Sequence, residues 1–336
     1  MAPQMEYRSL GRTGVQVSAL CLGCMNFGWG TDEDESIRII HAALDAGINF
    51  LDTANVYGRG ASEEITGKAL AVAGKRDRVV LATKVHARMA DDDPNAWGNH
   101  RYTIMRECEA SLRRLKTDHI DLYQIHRPQP SIPIDETLRA LDDLIRAGKV
   151  RYIGTSTFAA WQLVESLWVA KELGLNRFVC EQPPYNLLDR RIERELLPMC
   201  RTYGFGVIPW SPLAGGLLTG KYRRGEGGPP GSRYEKGAPE TRATARAFDV
   251  IEQLVAMAVE KDCTPAQLAL AWCLRRPGVT SPIIGPSRLE QLADNLKALE
   301  VEITDEDAKR IDAFTEPGGV VGAYYEADFG PNARWM

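Results

Sequence analysis

The chain has 336 residues, 44% of them hydrophobic and 26% charged, with a net charge of −4. That length can bury a large core in one domain or two, and the mild acidity leaves no electrostatic footprint for nucleic acid or an anionic membrane. No run approaches the roughly 18 apolar residues needed to span a bilayer, and the opening MAPQMEYRSLGRTG lacks the apolar core of a signal peptide, so the expected location is the cytoplasm.

In chain order, YRSL and VQVSA on either side of GRTG predict a short hairpin. Eight strand candidates follow: ALCLGCM, NFLDTA, VVLATKV, IDLYQIH, VRYIGTS, FVCEQPPY, FGVIPWS and SPIIGP. Between and after them run helical patterns, from DESIRIIHAALDAG to SRLEQLADNLKAL, several closed by glycine. Short apolar strands alternating with helices imply parallel strands covered on both sides, and eight units match a single (β/α)8 TIM barrel domain over residues 1–336. A doubly wound sheet would place G-x-G-x-x-G after its first strand, and LGCMNFGWG lacks that spacing. Residues 86–99 and 213–240 are long loops after the third and seventh barrel strands, on the C-terminal face where sites of this fold lie. The tail from 316 to 336, with Tyr324, Tyr325, Phe329 and Trp335, is expected to close near the same mouth.

The seven cysteines are an odd number set mostly in apolar segments, as for reduced, buried thiols. Cys21 and Cys24 form C-x-x-C inside a strand rather than at the opening of a helix, which argues against a redox pair. No His, Cys and carboxylate cluster has metal-ligand spacing. His41 and His119 read as structural, and the basic run RRLK at 113–116 reads as a solvated helix face.

Four polar groups stand at the ends of strands. Asp52, Lys84 and His126 close the second, third and fourth barrel strands, and Tyr57 lies on the loop after the second. Alternation puts Ala82 with Lys84, and Leu122 with Gln124 and His126, each set on one face. Neighbouring strands lie about 4.8 Å apart, so these side chains can meet. Each alone has an ordinary structural reading, as a turn residue, a snorkelling lysine or a core histidine. Together they make a proton-transfer site, because unpaired buried charge is costly and an ammonium beside a phenol favours the phenolate. Such a site protonates an oxygen on which negative charge develops, as on a carbonyl receiving hydride.

These segments resemble the aldo-keto reductase superfamily, in the branch of bacterial aldo-keto reductases and potassium-channel β subunits. FLDTANVYGRGASEEITGKAL, TKV and IHRP resemble the stretches that carry the family's tetrad, which the resemblance places at Asp52, Tyr57, Lys84 and His126. The same resemblance implies a bound NADPH. Gly23, Met25 and Asp52 would lie beside it, with Ser156 of YIGTSTF and Gln182 of EQPPYN on the nicotinamide carboxamide. Thr157 stands where many members carry Asn. Trp210 would stack on the nicotinamide, and Ser211, Pro212, Leu213, Gly215 and Lys221 of PWSPLAGGLLTGKY would hold the pyrophosphate. Gly285, Ser287, Arg288, Gln291 and Asn295 of IIGPSRLEQLADNL would hold the adenosine end, with Arg233 as a clamp. Ser287 and Arg288 favour NADPH over NADH, because a 2′-phosphate wants donors. Ser287 and Glu290 also have capping-box spacing.

The expected function is reduction of an aldehyde or ketone with Tyr57 as general acid. Two alternatives stay open: an NADPH-binding sensor subunit with weak turnover, and an alcohol or sugar dehydrogenase running in the oxidative direction. Trp29, Tyr57, His86, Trp97, His126 and Tyr185 are candidate walls for a small-molecule substrate. Neither the particular carbonyl compound nor the oligomeric state follows from periodicity.

Overall fold

The computed structural model describes residues 4–322; Tyr324, Tyr325, Phe329 and Trp335 of the tail lie outside the described residues. Strands β1 (Tyr7–Ser9) and β2 (Gln16–Ser18) form an antiparallel hairpin. Eight parallel strands follow: β3 (Cys21–Gly23), β4 (Phe50–Asp52), β5 (Val80–Val85), β6 (Ile120–Ile125), β7 (Val150–Ser156), β8 (Cys180–Gln182), β9 (Gly206–Val207) and β10 (Ile283–Ile284). From β3 to β9 each strand pairs with the next in chain order, and β10 returns to pair with β3. The ring closes through Thr280 N–H to Val207 O at 2.7 Å and Ile283 N–H to Pro209 O at 2.8 Å. This is the expected (β/α)8 barrel with its N-terminal hairpin.

Helices α1 (Glu33–Asp45), α2 (Ala61–Ala73), α3 (Arg101–Leu115), α4 (Ile134–Arg146), α5 (Ala160–Leu173), α6 (Leu196–Tyr203), α8 (Pro265–Arg275) and α9 (Leu289–Leu296) surround the barrel. Their ends carry ordinary sequence signals. Asp32 caps α1 by accepting from Glu35 N–H, Thr264 and Gln267 box the start of α8, and Gly74 closes α2 in the left-handed region. Two further helices, α7 (Ala245–Glu260) and α10 (Asp305–Phe314), were not among the expected elements. Among the described residues no helix is long and apolar enough to cross a membrane.

Side chains inside the barrel stack in layers, as alternation requires. A lower layer of Cys21, Phe50, Ala82, Leu122, Cys180, Ile208 and Ile283 is apolar. Two residues further along their strands come Asp52, Lys84, Gln124 and Gln182, all buried. The hairpin covers the opposite, N-terminal end. Its Leu10 and Val17 join the lower layer, and Arg8 donates to the carbonyls of Leu274, Val279 and Thr280. The polar layer therefore opens only toward the C-terminal face.

Candidate active site

Strand register brings the charged residues together. Asp52 lies opposite Ala82, and Lys84 lies opposite Gln124, so Asp52, Lys84 and Gln124 project inward from three neighbouring strands. Lys84 is fully buried, and its Nζ donates to Asp52 Oδ2 at 2.5 Å, Thr53 O at 2.8 Å and Tyr57 Oη at 3.2 Å. All three ammonium protons are thereby used. Burial alone would lower the Lys84 pKa, but the Asp52 carboxylate and the Tyr57 oxygen outweigh it, and the net shift is upward. Lys84 is a fixed cation. The other carboxylate oxygen of Asp52 accepts from Gln124 Nε2 and from Gln182 Nε2, each at 2.9 Å.

Tyr57 reaches this cluster because the chain reverses just after it. Gly58, Arg59 and Gly60 all take positive φ (57°, 51° and 103°), a conformation that costs a non-glycine residue such as Arg59 about 1 kcal/mol or more. The turn is anchored below by Asn55 N–H to Lys84 O at 3.2 Å and Asn55 Nδ2 to Glu107 Oε2 at 3.1 Å. The Tyr57 ring meets His126 edge to face at 5.6 Å and carries Lys84 Nζ at 4.8 Å from its centroid. Burial pushes the His126 pKa well down, helped by Lys84, Arg127 and His86, so its imidazole is neutral.

From this end a cavity of about 900 Å³ runs across the barrel mouth. Its walls include Tyr57, His126, Gly23, Met25, Asp52, Ser156, Gln182, Trp210, Ser211, Pro212, Leu213, Gly215, Lys221, Arg233, Gly285, Ser287, Arg288, Gln291 and Asn295. Almost every cofactor candidate of the sequence thus borders one cleft. The backbone below Trp210 is left-handed at Ser211, Ala214, Gly215 and Gly216, which makes a concavity suited to an anion. Residues 229–233, within the long loop after β9, form another wall, and Arg233 donates to Asn26 Oδ1 at 3.3 Å from across the cleft.

Several candidates sit elsewhere. Thr157 does not line the cavity; it is buried with φ 62°, and its hydroxyl turns to Ser156 O at 2.6 Å. Tyr185 is a core residue rather than a pocket wall. It is fully buried, its hydroxyl donates to Glu193 at 2.5 Å, and its ring packs on Trp272 at 5.1 Å. Trp29 is 76% exposed and lies outside the cleft. His86 and Trp97 pack on each other at 6.1 Å near the rim, with His86 Nδ1 2.9 Å from Asn99, and neither borders the cavity. Ser287 is no helix cap. Its N–H and hydroxyl both turn to Gln291 Oε1, while Glu35 of α1 accepts from Leu289 N–H at the helix start.

Other wall residues were not anticipated. Arg127, beside His126, donates to Ser156 Oγ at 3.4 Å; it stands inside the quoted IHRP stretch, where its place after His126 was a usable signal. Gly216 and Asp294, inside the quoted stretches PWSPLAGGLLTGKY and IIGPSRLEQLADNL, also border the cleft, as do Asn26 and Arg242, which chain folding brings there. Cys21 and Cys24, with all other cysteines, form no disulfide, and burial raises the Cys24 thiol to about 12 and that of Cys21 well above the usual thiol range.

Comparison with known proteins agrees with this geometry. The aldo/keto reductase family model matches residues 19–316. The chain belongs to the aldo/keto reductase family. This aldo/keto reductase is 46% identical over 324 residues to an uncharacterized oxidoreductase, YrpG, of Bacillus subtilis, covering 94% of this chain and 98% of that one. It is 39% identical over 321 residues to a probable voltage-gated potassium channel subunit beta of Oryza sativa, covering 93% and 97%. An aldo-keto reductase of Alternaria alternata is 36% identical over 341 residues, covering 93% and 92%. The family membership makes this chain an oxidoreductase of the carbonyl-reducing type.

Proposed function

We propose that the protein is a cytoplasmic, NADP(H)-dependent carbonyl reductase that converts an aldehyde or ketone to its alcohol, with Tyr57 as the general acid. The observation that carries this reading is the single ammonium of Lys84, bonded at once to Asp52 and to the Tyr57 hydroxyl at the inner end of the cleft. The cleft fits an extended dinucleotide phosphate by its donor set. Lys221, Arg233, Ser287 and Arg288 line it together with the left-handed turn at 211–216, and Trp210 offers a flat wall. Ser156 and Gln182 would hold the carboxamide, Ser211 through Lys221 the pyrophosphate, and Ser287, Arg288, Gln291 and Asn295 the adenosine end. When bound, the reduced nicotinamide supplies the hydride.

The remaining chemistry belongs to the chain. His126, neutral because it is buried, can orient the substrate oxygen by a hydrogen bond without competing for its charge. Tyr57 gives its proton to that oxygen as negative charge develops there, and Lys84 stabilises the phenolate left behind. Asp52 keeps Lys84 charged and in place. The reduced state of the seven cysteines suits a cytoplasmic setting.

The test is a panel of aldehydes and ketones assayed with NADPH and with NADH, following the absorbance of the reduced nicotinamide. Turnover with NADPH above that with NADH is expected. Tyr57→Phe should keep NADPH affinity near wild type and lower turnover about 100-fold or more, the usual worth of a general acid. Unchanged turnover would remove Tyr57 from this role. The likeness to a probable potassium channel subunit beta favours a second reading, a cofactor-binding subunit with weak turnover. One oxidation of bound NADPH per protein molecule, with no cycling on any carbonyl compound, would select that reading. Sustained cycling on alcohols alone would assign the oxidative direction.

A further inference from the structure

Gln124 has no part in the chemistry above, yet it sits at its centre. It lies on β6 opposite Lys84, is fully buried, and does not border the cavity. Its Nε2 donates to Asp52 Oδ1 at 2.9 Å. Gln182 Nε2 donates to the same oxygen at 2.9 Å and to Gln124 Oε1 at 3.1 Å. An ionised carboxylate only accepts hydrogen bonds, so both amides must turn their NH2 groups toward Asp52. That orientation leaves Gln124 Oε1 facing Gln182. The two N–H bonds of Gln182 are then both used inside the protein, and its Oε1 is the atom left for the cleft it lines. Ser156 shares this trait in part: its hydroxyl donates to Gln182 O at 2.9 Å and accepts from Arg127 at 3.4 Å, which leaves one lone pair for the cleft. Gln182 and Ser156 thereby present acceptors to the inner cleft, beside the donors Tyr57 and Arg127.

We propose that Gln124 is a positioning residue that locks Gln182 as a pure acceptor, so that the site selects a nicotinamide by the amino group of its carboxamide. The inference rests on the reading of the cleft as a nicotinamide site. A ring substituent without that amino group leaves a buried acceptor unpaired, which costs more than an ordinary hydrogen bond contributes. Loss of Gln124 releases one Gln182 N–H. That hydrogen can then turn to an acceptor offered from the cleft, and an acetyl oxygen serves as well as a carboxamide.

The experiment compares NADPH with its reduced 3-acetylpyridine analogue, which carries an acetyl group in place of the carboxamide. Affinity is read from quenching of protein fluorescence and turnover from a carbonyl substrate. Wild type should bind NADPH about tenfold more tightly than the analogue. Gln124→Leu should bring that ratio close to one, whereas a merely structural loss would weaken both cofactors alike. Gln124→Glu supplies a second arm. Its protonated carboxyl can donate to Asp52 and accept from Gln182, so preference should survive at acid pH. Ionised, that carboxyl still accepts from Gln182, so the preference should stay level as pH rises, as it does in wild type.

An unchanged ratio in Gln124→Leu, or a lost preference in Gln124→Glu, overturns the inference. So does a wild-type enzyme that reduces carbonyls with NADPH but does not distinguish the two cofactors. Should Gln124→Leu fail to fold, Gln124→Met, of similar length and without an oxygen acceptor, carries the test. A wild-type protein that binds neither cofactor overturns the underlying functional reading instead.

Discussion

Buried ionisable residues in this protein are held by one of two means, pairing or neutralisation. Lys84 and Asp52 are paired, each with further hydrogen bonds, so burial does not discharge the ammonium. Glu181, one residue before Gln182, is neutralised. It points out of the barrel, fully buried, where its carboxyl receives Thr155 Oγ1 at 2.5 Å and Phe158 N–H at 3.1 Å. Burial pushes its pKa up to about 8 from 4.5, outweighing those hydrogen bonds and the pull of Arg127. Between those values the folded chain keeps a proton that the unfolded chain releases, so this group's contribution to stability falls as pH rises. Glu181→Gln should therefore gain on wild type as pH rises from 5 to about 8, read as a widening difference in thermal midpoint. His126, held neutral, imposes the opposite slope through the ordinary histidine range, but it does so in both proteins and cancels in the comparison. Parallel midpoints across that range would show that Glu181 is ionised in the folded state.

At the scale of elements, the hairpin and the two unanticipated helices show where periodicity stops informing. YRSL-GRTG-VQVSA is legible as a hairpin, but its role as the floor of the barrel depends on a close approach that no pattern records. Gly11, with φ 59°, leaves no room for a side chain. An added Cβ would lie 2.6 Å from Gly206 N and from Val179 O. Gly11→Ala should lower stability by about 2 kcal/mol or more, through strain and displacement together. Gly14→Ala, on the same turn with nothing within 4 Å, should stay within about 0.5 kcal/mol in denaturant melts. Helices α7 and α10 add to the eight-fold rhythm, so counting barrel units did not call for them. Their own signals were present nonetheless: Thr244 caps α7 above an apolar stripe of Val250, Ile251, Leu254 and Met257, and Thr304 with Asp307 boxes the start of α10. The basic run at 113–116 is not simply a solvated face. Arg114 donates to the buried carboxylate of Glu63 at 2.6 Å and so belongs to the packing of α3 on α2.

Over the whole molecule, the cleft is a joint product of segments far apart in the chain. Its walls run from Gly23 near the start to Asn295 near the end, and the contact between Arg233 and Asn26 links the loop after β9 to the turn after β3. If that loop straps a bound dinucleotide phosphate, Arg233→Ala should raise the NADPH dissociation constant about fivefold to tenfold. It should leave the thermal midpoint of the ligand-free protein unchanged, since the loss of one exposed charged contact costs little. An equal loss for NADH would place Arg233 on the pyrophosphate rather than on the 2′-phosphate. The described part of the tail also reaches the C-terminal face, where Val321 and Gly322 donate to Leu188 O and Val321 O accepts from Thr244. The sequence by itself determined the barrel, because strand and helix periods are local properties repeated eight times. It also determined which residues stand at strand ends, because alternation along a strand is strict. Only the tertiary structure decided which of these meet. It placed Tyr185 in the core and Trp29, His86 and Trp97 outside the cleft, and it joined Gln124 to Asp52 and Gln182, since loop paths and cross-strand contacts depend on packing between segments and leave no periodic trace.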